Sequence, residues 1–239
     1  MNSIEIKKAL DRNGIPCQDD LPEKLQIYLS LLMQWNKQMD LTAVTDEAET
    51  VDKHFIDSLA VLNTGLITTQ SSLIDVGTGA GFPGLVLAMA LPDIHVTLMD
   101  SQQKRLTFLE YVINAAEVQN TTVIHARAED GARNPDLREK FDFAVARALA
   151  PLNTLCEYLL PYVKPGGYAI CWKGPALSDE IGSGRKAAHL LGGRIEMPRR
   201  CMIADRDWEH MILPIRKTEP TSSVYPRKAG IPKSRPLGI

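Results

Sequence analysis

A stretch of a dozen residues, from Leu73 to Gly84, limits what this chain can fold into more than any other. Its first four residues are mostly apolar and predict a buried strand. Three alternate glycines follow and predict a turn in which backbone N–H groups can approach a ligand closely. Pro83 suits the first turn of a following helix, where its missing N–H is not needed. The stretch therefore predicts a strand, a glycine-rich turn and a helix, with a nucleotide-like cofactor at the turn.

Short apolar runs alternate with helical patterns from residue 72 onward. Strands are predicted at residues 72–76, 95–99, 121–125, 141–146 and 167–172. Helices are predicted near residues 82–91, 101–116, 151–160 and 176–191. This alternation predicts an α/β fold with a doubly wound, mostly parallel sheet that is covered on both faces. Two further runs, 194–203 and 209–216, flank an acidic turn and predict a terminal hairpin that adds an antiparallel edge strand.

The chain divides by pattern into three parts. Residues 1–65 carry apolar side chains at helical spacing and predict an N-terminal helical extension, with helices over 3–13, from about 22, and over 47–62. Residues 66–216 hold the glycine stretch and the alternating elements. Residues 217–239 are rich in proline and basic residues, which predicts a tail without long regular structure that becomes ordered on its partner.

Basic residues are concentrated toward the C-terminus. Residues 185–239 contain 12 Lys or Arg and 5 Asp or Glu, although the whole chain has a formal net charge of −2. Such a region suits a polyanionic partner such as RNA, while a solvated tail would have the same composition. No apolar run approaches the ~20 residues of a membrane span, and the N-terminus has no apolar signal core. We therefore expect a cytoplasmic monomer without a membrane partner.

The four cysteines are far apart in the sequence, and the histidines form no cluster. Neither a disulfide framework nor a zinc site is therefore predicted. We expect reduced, mostly buried thiols and no bound metal.

The glycines fit two kinds of cofactor site. Gly79, Gly81 and Gly84 match the dinucleotide fingerprint G-x-G-x-x-G, so a nicotinamide-dependent oxidoreductase has to be considered. Asp75, however, precedes Gly77 by two residues, and a carboxylate there repels a pyrophosphate but suits a cationic cofactor that carries an amino acid group. The sequence also lacks the Y-x-x-x-K pair of short-chain dehydrogenases. The motif favours the S-adenosylmethionine site of a Rossmann-like class I methyltransferase, with these glycines and Asp75 around the cofactor.

Residues that directly follow the strands are candidates for the same site, because ligands of open parallel sheets bind beyond the carboxyl ends of the strands. Asp100 follows the second strand, where its oxygens can accept hydrogen bonds from ribose hydroxyls or cap the next helix. After the third strand, the N–H of Ala128 and the carboxylate of Glu129 are placed to read an adenine edge. Arg147 and Lys173 follow the fourth and fifth strands, so the loops predict one shared crevice.

Further motifs are found along the chain, namely Trp35-Asn36, Leu41-Thr42, His54, Asp57-Ser58, Arg147-Ala148 and Arg227-Lys228-Ala229-Gly230-Ile231-Pro232. Together with the glycine stretch they cover nearly the whole chain and resemble the ribosomal RNA small subunit methyltransferase G family, also called glucose-inhibited division protein B. One position departs from the pattern: Asp40, where we expect the family to have Asn.

The resemblance implies transfer of a methyl group from S-adenosyl-L-methionine to N7 of one guanine in bacterial 16S ribosomal RNA. Matching positions imply cofactor contacts by Gly77, Phe82, Ala128, Glu129 and Arg147. The basic residues that we assign to RNA are Arg147, Lys173, Arg199, Arg200, Arg227 and Lys228. We assign no catalytic residue, because guanine N7 already presents a lone pair, so alignment and electrostatics can suffice. A methyltransferase that acts on a small molecule or a protein remains an alternative.

Three other features have a plain structural interpretation beside the functional one. His54 and Asp57 share a helix face, where structural hydrogen bonding outweighs catalysis because no nucleophile accompanies them. Trp172 could stack on a flipped base or belong to the core. Pro16-Cys17-Gln18 spells the nucleophile motif of cytosine-C5 methyltransferases but falls in a polar loop before the cofactor motif, so we expect it to be inert.

Overall fold

In the computed structural model, which describes residues 1–208 and 210–239, eight strands form one sheet in the order β3-β2-β1-β4-β5-β8-β6, with β7 paired to β8. The strands are β1 (Ser72–Val76), β2 (His95–Asp100), β3 (Thr121–His125), β4 (Phe141–Arg147), β5 (Val163–Lys173), β6 (Gly193–Ile195), β7 (Arg199–Cys201) and β8 (His210–Lys217). Strands β1 to β5 run parallel, and β8 runs antiparallel to β5. The predicted parallel sheet with an antiparallel edge is confirmed.

The single strand predicted over 194–203 is wrong in detail. The segment forms two short strands, β6 and β7, and both pair antiparallel with β8. Pro198 lies between them, and proline has no N–H to continue a ladder. Strand β8 lies between β5 and the two short strands. The segment predicted as a hairpin therefore forms the antiparallel end of the sheet.

The helices are α1 (Ser3–Arg12), α2 (Leu21–Met39), α3 (Glu47–Thr50), α4 (Asp57–Leu59), α5 (Gly84–Ala90), α6 (Gln103–Ala115), α7 (Ala128–Gly131), α8 (Leu152–Leu159), α9 (Leu177–Leu190) and α10 (Ile231–Ser234). A π-helical segment, Val51–Ile56, joins α3 to α4, and a 3₁₀ segment, Ala60–Thr64, follows. The predicted helix over 47–62 is therefore one continuous helical stretch. Its π-helical turn carries His54, and such turns often occur at functional sites.

The N-terminal helices share a hydrophobic core with the glycine turn. The hydroxyl of Tyr28, on α2, donates a hydrogen bond to the carbonyl of Ala80 inside the turn. The Tyr28 ring stacks on Phe82 with ring centroids 5.5 Å apart and also contacts Phe55. Residues 1–65 therefore fix the shape of the turn from one face of the sheet, while α8, α9 and the C-terminal residues cover the other face.

The C-terminal tail packs against the body, contrary to the expectation that it becomes ordered only on its partner. Arg138 donates hydrogen bonds to the carbonyls of Thr221 and Tyr225, and Arg133 donates two to the carbonyl of Pro226. Buried backbone carbonyls need such donors, and arginine supplies several from one side chain. The regular structure of the tail is limited to the short helix α10.

Asp40 ends α2 in the left-handed conformation, with φ 48° and ψ 51°. Its carboxylate also lies at the negative end of the helix dipole. We expect Asp40→Asn to raise the free energy of unfolding by about 0.5–1 kcal/mol, because Asn tolerates this conformation and removes the charge. Denaturant unfolding measures the change. The matched control is Asp46→Asn, where the carboxylate caps the N-terminus of α3; a gain there too would contradict the explanation.

Candidate cofactor and substrate site

Two clefts open side by side at the carboxyl ends of the parallel strands. The first, here called the glycine cleft, has a volume of about 420 Å³ and is lined by residues that include Gly77, Asp100, Arg105, Ala128, Glu129, Tyr158, Gly230 and Lys233. The second, the tryptophan cleft, has a volume of about 590 Å³ and is lined by residues that include Lys53, His54, Asp57, Arg147, Trp172, Lys173, Glu180, Trp208 and His210. The segment after β4 separates them, since Leu149 faces the first and Ala148 the second.

Asp75 shapes the glycine turn from beneath. Its side chain is fully buried, and one carboxylate oxygen accepts hydrogen bonds from the hydroxyl of Thr78 at 2.7 Å and the N–H of Gly84 at 2.8 Å. Burial raises the pKa of Asp75 to about 6, against the opposing effect of these two hydrogen bonds. Within residues 1–208 and 210–239, its other oxygen has no hydrogen-bond partner.

Two further carboxylates line the glycine cleft. Asp100, at the end of β2, accepts hydrogen bonds at 2.9 Å from the N–H of Gly79 and from the N–H of Gln102. It therefore joins the glycine turn to the loop before α6. Glu129 lies at the start of α7, where one of its oxygens accepts a hydrogen bond from the N–H of Gly230 at 2.8 Å. Both side chains are almost completely buried.

Asp57 is the centre of a charged network at the floor of the tryptophan cleft. Its fully buried carboxylate receives the guanidinium of Arg147 at 2.8 Å on one oxygen and Nδ1 of His210 at 2.7 Å on the other. The indole N–H of Trp172 donates to the backbone carbonyl of Asp57 at 2.9 Å. The hydrogen bond between His210 and the Asp57 carboxylate raises the pKa of His210. The network therefore ties α4, β4, β5 and β8 together.

His54 lies between the network and the glycine turn. Its ring stacks on Phe82 with centroids 4.6 Å apart, Nδ1 lies 3.1 Å from the guanidinium of Arg147, and Nε2 lies 2.7 Å from the hydroxyl of Thr42. Burial lowers its pKa to about 4, with a smaller effect of the Arg147 charge. His54 is therefore neutral at pH 7 and accepts from Arg147. These contacts are hydrogen bonds with Thr42 and Arg147.

Comparison with known proteins identifies the family to which the chain is related. The sequence profile of the family described as rRNA small subunit methyltransferase G matches residues 21–207. A protein named ribosomal RNA small subunit methyltransferase G from Alkaliphilus oremlandii is 43% identical over 232 residues, which cover 97% of each chain. Another of that name, from Lachnoclostridium phytofermentans, is 45% identical over 215 residues and covers 90% of this chain and 89% of its own. The chain belongs to the rRNA small subunit methyltransferase G family.

Solved structures agree with this family at the level of the fold. A chain in the complex of the Haloferax volcanii Trm112 methyltransferase activator with its methyltransferase superposes with a TM-score of 0.58 at 12% identity, over 79% of this chain and 98% of that one. The Methanococcus jannaschii fibrillarin pre-rRNA processing protein superposes with a TM-score of 0.51 at 17% identity, over 67% and 74%. The predicted family, class I methyltransferase fold, enzyme class and S-adenosylmethionine cofactor are confirmed, and the oxidoreductase alternative is not supported.

The residues of the glycine cleft suit the cofactor of the methyltransferase G family. Asp100 and Glu129 offer carboxylates to the hydroxyls and amino group of a nucleoside. Asp75 supports the turn from beneath, through Thr78 and Gly84, and is not among the residues that line the cleft. Gly77 has φ 70°, in the left-handed region that side-chain-bearing residues rarely adopt, so glycine suits this point of the turn. A cationic adenosine derivative therefore fits the donor set and the space.

The structure places the predicted cofactor residues in three positions. Those that line the glycine cleft are Gly77, Asp100, Ala128 and Glu129. Those that lie under or within the turn are Asp75, Gly79, Gly81 and Phe82, and Phe82 also contacts the guanidinium of Arg147 at 5.2 Å from its ring centroid. Arg147 itself lines the tryptophan cleft. Their roles as direct cofactor ligands stay predictions, and the structure gives the buried ones a supporting position.

The residues predicted to contact RNA are not gathered in one place. Lys173 lines the tryptophan cleft and pairs with Glu180 at 2.6 Å. Arg199 and Arg200 are on β7 at the end of the sheet. Arg227 pairs with the buried Glu157, and its side chain is 25% exposed, whereas its neighbour Lys228 is exposed.

Several residues of the site could not be found from local sequence patterns. His210 comes from β8, Trp208 from the preceding loop, and Tyr158 from α8, and none belongs to a motif. Lys53 and Arg206 each lie 5.2 Å from the ring centroid of Trp208, an arrangement of cations around an aromatic face.

Other predictions about the chain have simple outcomes. All four cysteines are free, and burial raises the pKa of the Cys156 and Cys171 thiols. Cys17 lies in the α1–α2 loop, outside both clefts. In the described residues, 1–208 and 210–239, the side chains form no metal-binding cluster, and no helix there is long and apolar enough to span a membrane.

His54 should make the protein sensitive to acid. Because its pKa is about 6.5 in the unfolded chain and about 4 in the folded one, only the unfolded chain binds this proton between these values. Stability is therefore lost as the pH falls from 6.5 to 4, by about 3 kcal/mol from this group. The measurement is the free energy of unfolding against pH for the wild type and His54→Gln. Equal slopes for the two proteins would show that His54 does not titrate in this way.

Proposed function

We propose that this protein transfers the methyl group of S-adenosylmethionine to N7 of a guanine in bacterial 16S ribosomal RNA, in the cytoplasm where that RNA is made. The observation that carries the proposal is the pair of neighbouring clefts in a member of this family. The glycine cleft has the groups for the cofactor, and the tryptophan cleft has two indoles and a guanidinium. A base extruded from an RNA strand is commonly held by aromatic stacking. The tryptophan cleft is therefore the proposed guanine site.

The residues of the chain bind and align in this proposal, and none acts as a general base. The cofactor supplies an electrophilic methyl group on a sulfonium, and guanine N7 presents a lone pair in the plane of the ring. Direct in-line transfer then needs no proton removal and no covalent enzyme intermediate, so rate depends on orientation and electrostatics. Arg147 lies between the glycine turn and the guanine site, where it can hold a base or phosphate in place. Cysteine chemistry is not required.

The proposed RNA surface uses basic side chains around the tryptophan cleft and on the tail. Arg199, Arg200 and Lys228 are exposed, and Lys53 lies at the rim of the cleft beside Trp208. Phosphate contacts of this kind supply most of the sequence-independent affinity for nucleic acid. Specificity for one guanine would then come from the shape of the RNA and the tryptophan cleft.

Labelled methyl transfer tests the proposal directly. The full chain is given S-adenosylmethionine with a labelled methyl group and 30S particles, free 16S RNA, transfer RNA or duplex DNA. We expect label on 16S RNA, alone or in the particle, recovered as N7-methylguanosine by mass spectrometry. Trp208→Ala should lower transfer while cofactor affinity is kept. Label at another base position, or only on DNA, a protein or a small molecule, would overturn the substrate assignment.

The basic tail gives a separate prediction. Lys228→Met should weaken RNA binding by a similar factor for all RNA sequences and reduce the slope of log affinity against log salt concentration by about 1, because one phosphate contact is lost. Filter binding or anisotropy at several salt concentrations measures this. The matched control is Lys8→Met, an exposed lysine on α1. If both variants change the slope equally, Lys228 has no special place on the RNA surface.

A further inference from the structure

One wall of the glycine cleft is built by the C-terminal tail. Gly230 and Lys233 line the cleft opposite the glycine turn, although they are more than 100 residues from Glu129 in the sequence. Tyr158 of α8 completes this side. Residues 227–233 are here called the C-terminal wall, and two of them, Gly230 and Lys233, line the space that the proposed function gives to the cofactor.

The C-terminal wall fixes the carboxylate of Glu129. The N–H of Gly230 donates to Glu129 Oε1 at 2.8 Å, and the Glu129 side chain is 5% exposed. Glu129 also lines the cleft, so its carboxylate faces the space of a ligand. One oxygen is therefore held by the tail, and the second can accept from an amino or hydroxyl group of a ligand.

A buried ion pair anchors the C-terminal wall. The side chain of Glu157, on α8, is fully buried and receives the guanidinium of Arg227 on both oxygens, at distances from 2.6 to 3.1 Å. The backbone N–H of Arg227 also donates to Glu157 at 2.7 Å. This hydrogen bonding raises the pKa of Arg227. A bidentate pair of this type fixes direction as well as distance, so it sets where the next residues run.

We propose that the C-terminal wall positions the cofactor: the Arg227–Glu157 pair holds residues 227–233 so that the N–H of Gly230 orients Glu129 for the amino group of the adenine. This inference rests on the proposed function, which puts S-adenosylmethionine in the glycine cleft. Arg227 and Glu157 act through Glu129 and are positioning residues. In this proposal Arg227 helps to position the cofactor, while its neighbour Lys228 contacts RNA.

Calorimetric titration with S-adenosylhomocysteine and with its 6-oxo analogue, S-inosylhomocysteine, tests the proposal on the full chain. The wild type should prefer the adenosine compound. Arg227→Met should raise the dissociation constant of the adenosine compound about tenfold, the cost of one misplaced charge-assisted hydrogen bond. Arg227→Met should also reduce the ratio of the two dissociation constants. The ratio should approach the one measured for Glu129→Gln, in which the carboxylate is replaced. Lys8→Met, at an exposed lysine on α1 outside the C-terminal wall, is the matched control and should leave both constants unchanged.

The preference between the two compounds separates positioning from folding. If Arg227→Met only lowers the melting temperature, while the dissociation constants and the preference measured well below melting stay at wild-type values, the inference is wrong. If Arg227→Met does not fold, the double variant Arg227→Met with Glu157→Leu replaces the buried pair by apolar groups and serves in its place. A wild type that binds neither compound would instead contradict the proposed function. Arg227→Lys should recover only part of the preference, because lysine cannot bind both oxygens in the same geometry.

Discussion

Arg147→Met is expected to abolish methyl transfer and to lower the free energy of unfolding by about 3–5 kcal/mol. The Arg147 guanidinium donates to the Asp57 carboxylate at 2.8 Å, to the backbone carbonyl of Lys53 at 2.7 Å and toward His54 Nδ1. Methionine fills similar space but, among the residues that the structure describes, leaves the fully buried Asp57 carboxylate with His210 as its one charged partner. Breaking a buried pair from one side is costly because the remaining charge stays desolvated.

Two companion variants separate the stability effect from the effect on transfer. Combining Arg147→Met with Asp57→Asn removes the uncompensated charge and should recover much of the lost stability, while transfer stays absent. Arg147→Lys should keep part of the stability but little activity, since one ammonium cannot reach all three acceptors. Denaturant unfolding and single-turnover transfer of a labelled methyl group measure the two effects. A folded Arg147→Met protein with near-normal transfer would remove Arg147 from the site.

The glycine cleft could be predicted from the sequence because its parts follow general rules of the parallel sheet. A residue at the end of one strand meets residues at the ends of neighbouring strands. Asp100 and Glu129 were placed in this way without knowledge of the tertiary fold, and they lie in the same cleft. The glycine motif also identifies Asp75. Its position under the turn, however, depends on hydrogen bonds with Gly84 and Thr78 that sequence spacing does not reveal.

The tryptophan cleft could not be assembled in the same way. Asp57, Arg147 and His210 come from separate elements, and the contacts of Asp57 cross 90 and 153 residues of sequence. Local periodicity shows that a residue is on a buried helix face but not which strand it faces. From the sequence, the part of the network that could be recognised is the pair His54 and Asp57 on one helix face.

Counting charges does not show which basic residues of the C-terminal region are available to a partner. The count treats every cation as available to a partner, whereas Arg227 is engaged by buried Glu157, and the buried Lys217 by Glu139 and the carbonyl of Leu160. Composition cannot distinguish a guanidinium that satisfies the fold from one that faces solvent. Of the two basic residues in the tail motif, only Lys228 keeps the predicted exposure.

Gly84→Ala is expected to lower the free energy of unfolding by about 2–3 kcal/mol and to weaken cofactor binding strongly. A Cβ at this position would lie 2.6 Å from Asp75 Cβ and 2.7 Å from Leu98 Cδ2, and both side chains belong to fully buried strand residues. Because these neighbours cannot move away without disturbing β1 or β2, the start of α5 has to shift, and the glycine turn shifts with it. Thermal unfolding and calorimetric titration with S-adenosylhomocysteine measure the two losses.

The matched control for Gly84→Ala is Gly182→Ala, which makes the same chemical change in α9. No atom lies within 4 Å of a Cβ built on Gly182, so there is no clash, and alanine is the better helix former. This control should raise stability by up to about 1 kcal/mol and leave cofactor affinity unchanged. Opposite signs for the two variants are expected if the space between Asp75 and Leu98 is what requires glycine. If Gly84→Ala is as stable as the wild type and binds the cofactor normally, the turn does not depend on that close approach, and the supporting position given to Asp75 is wrong.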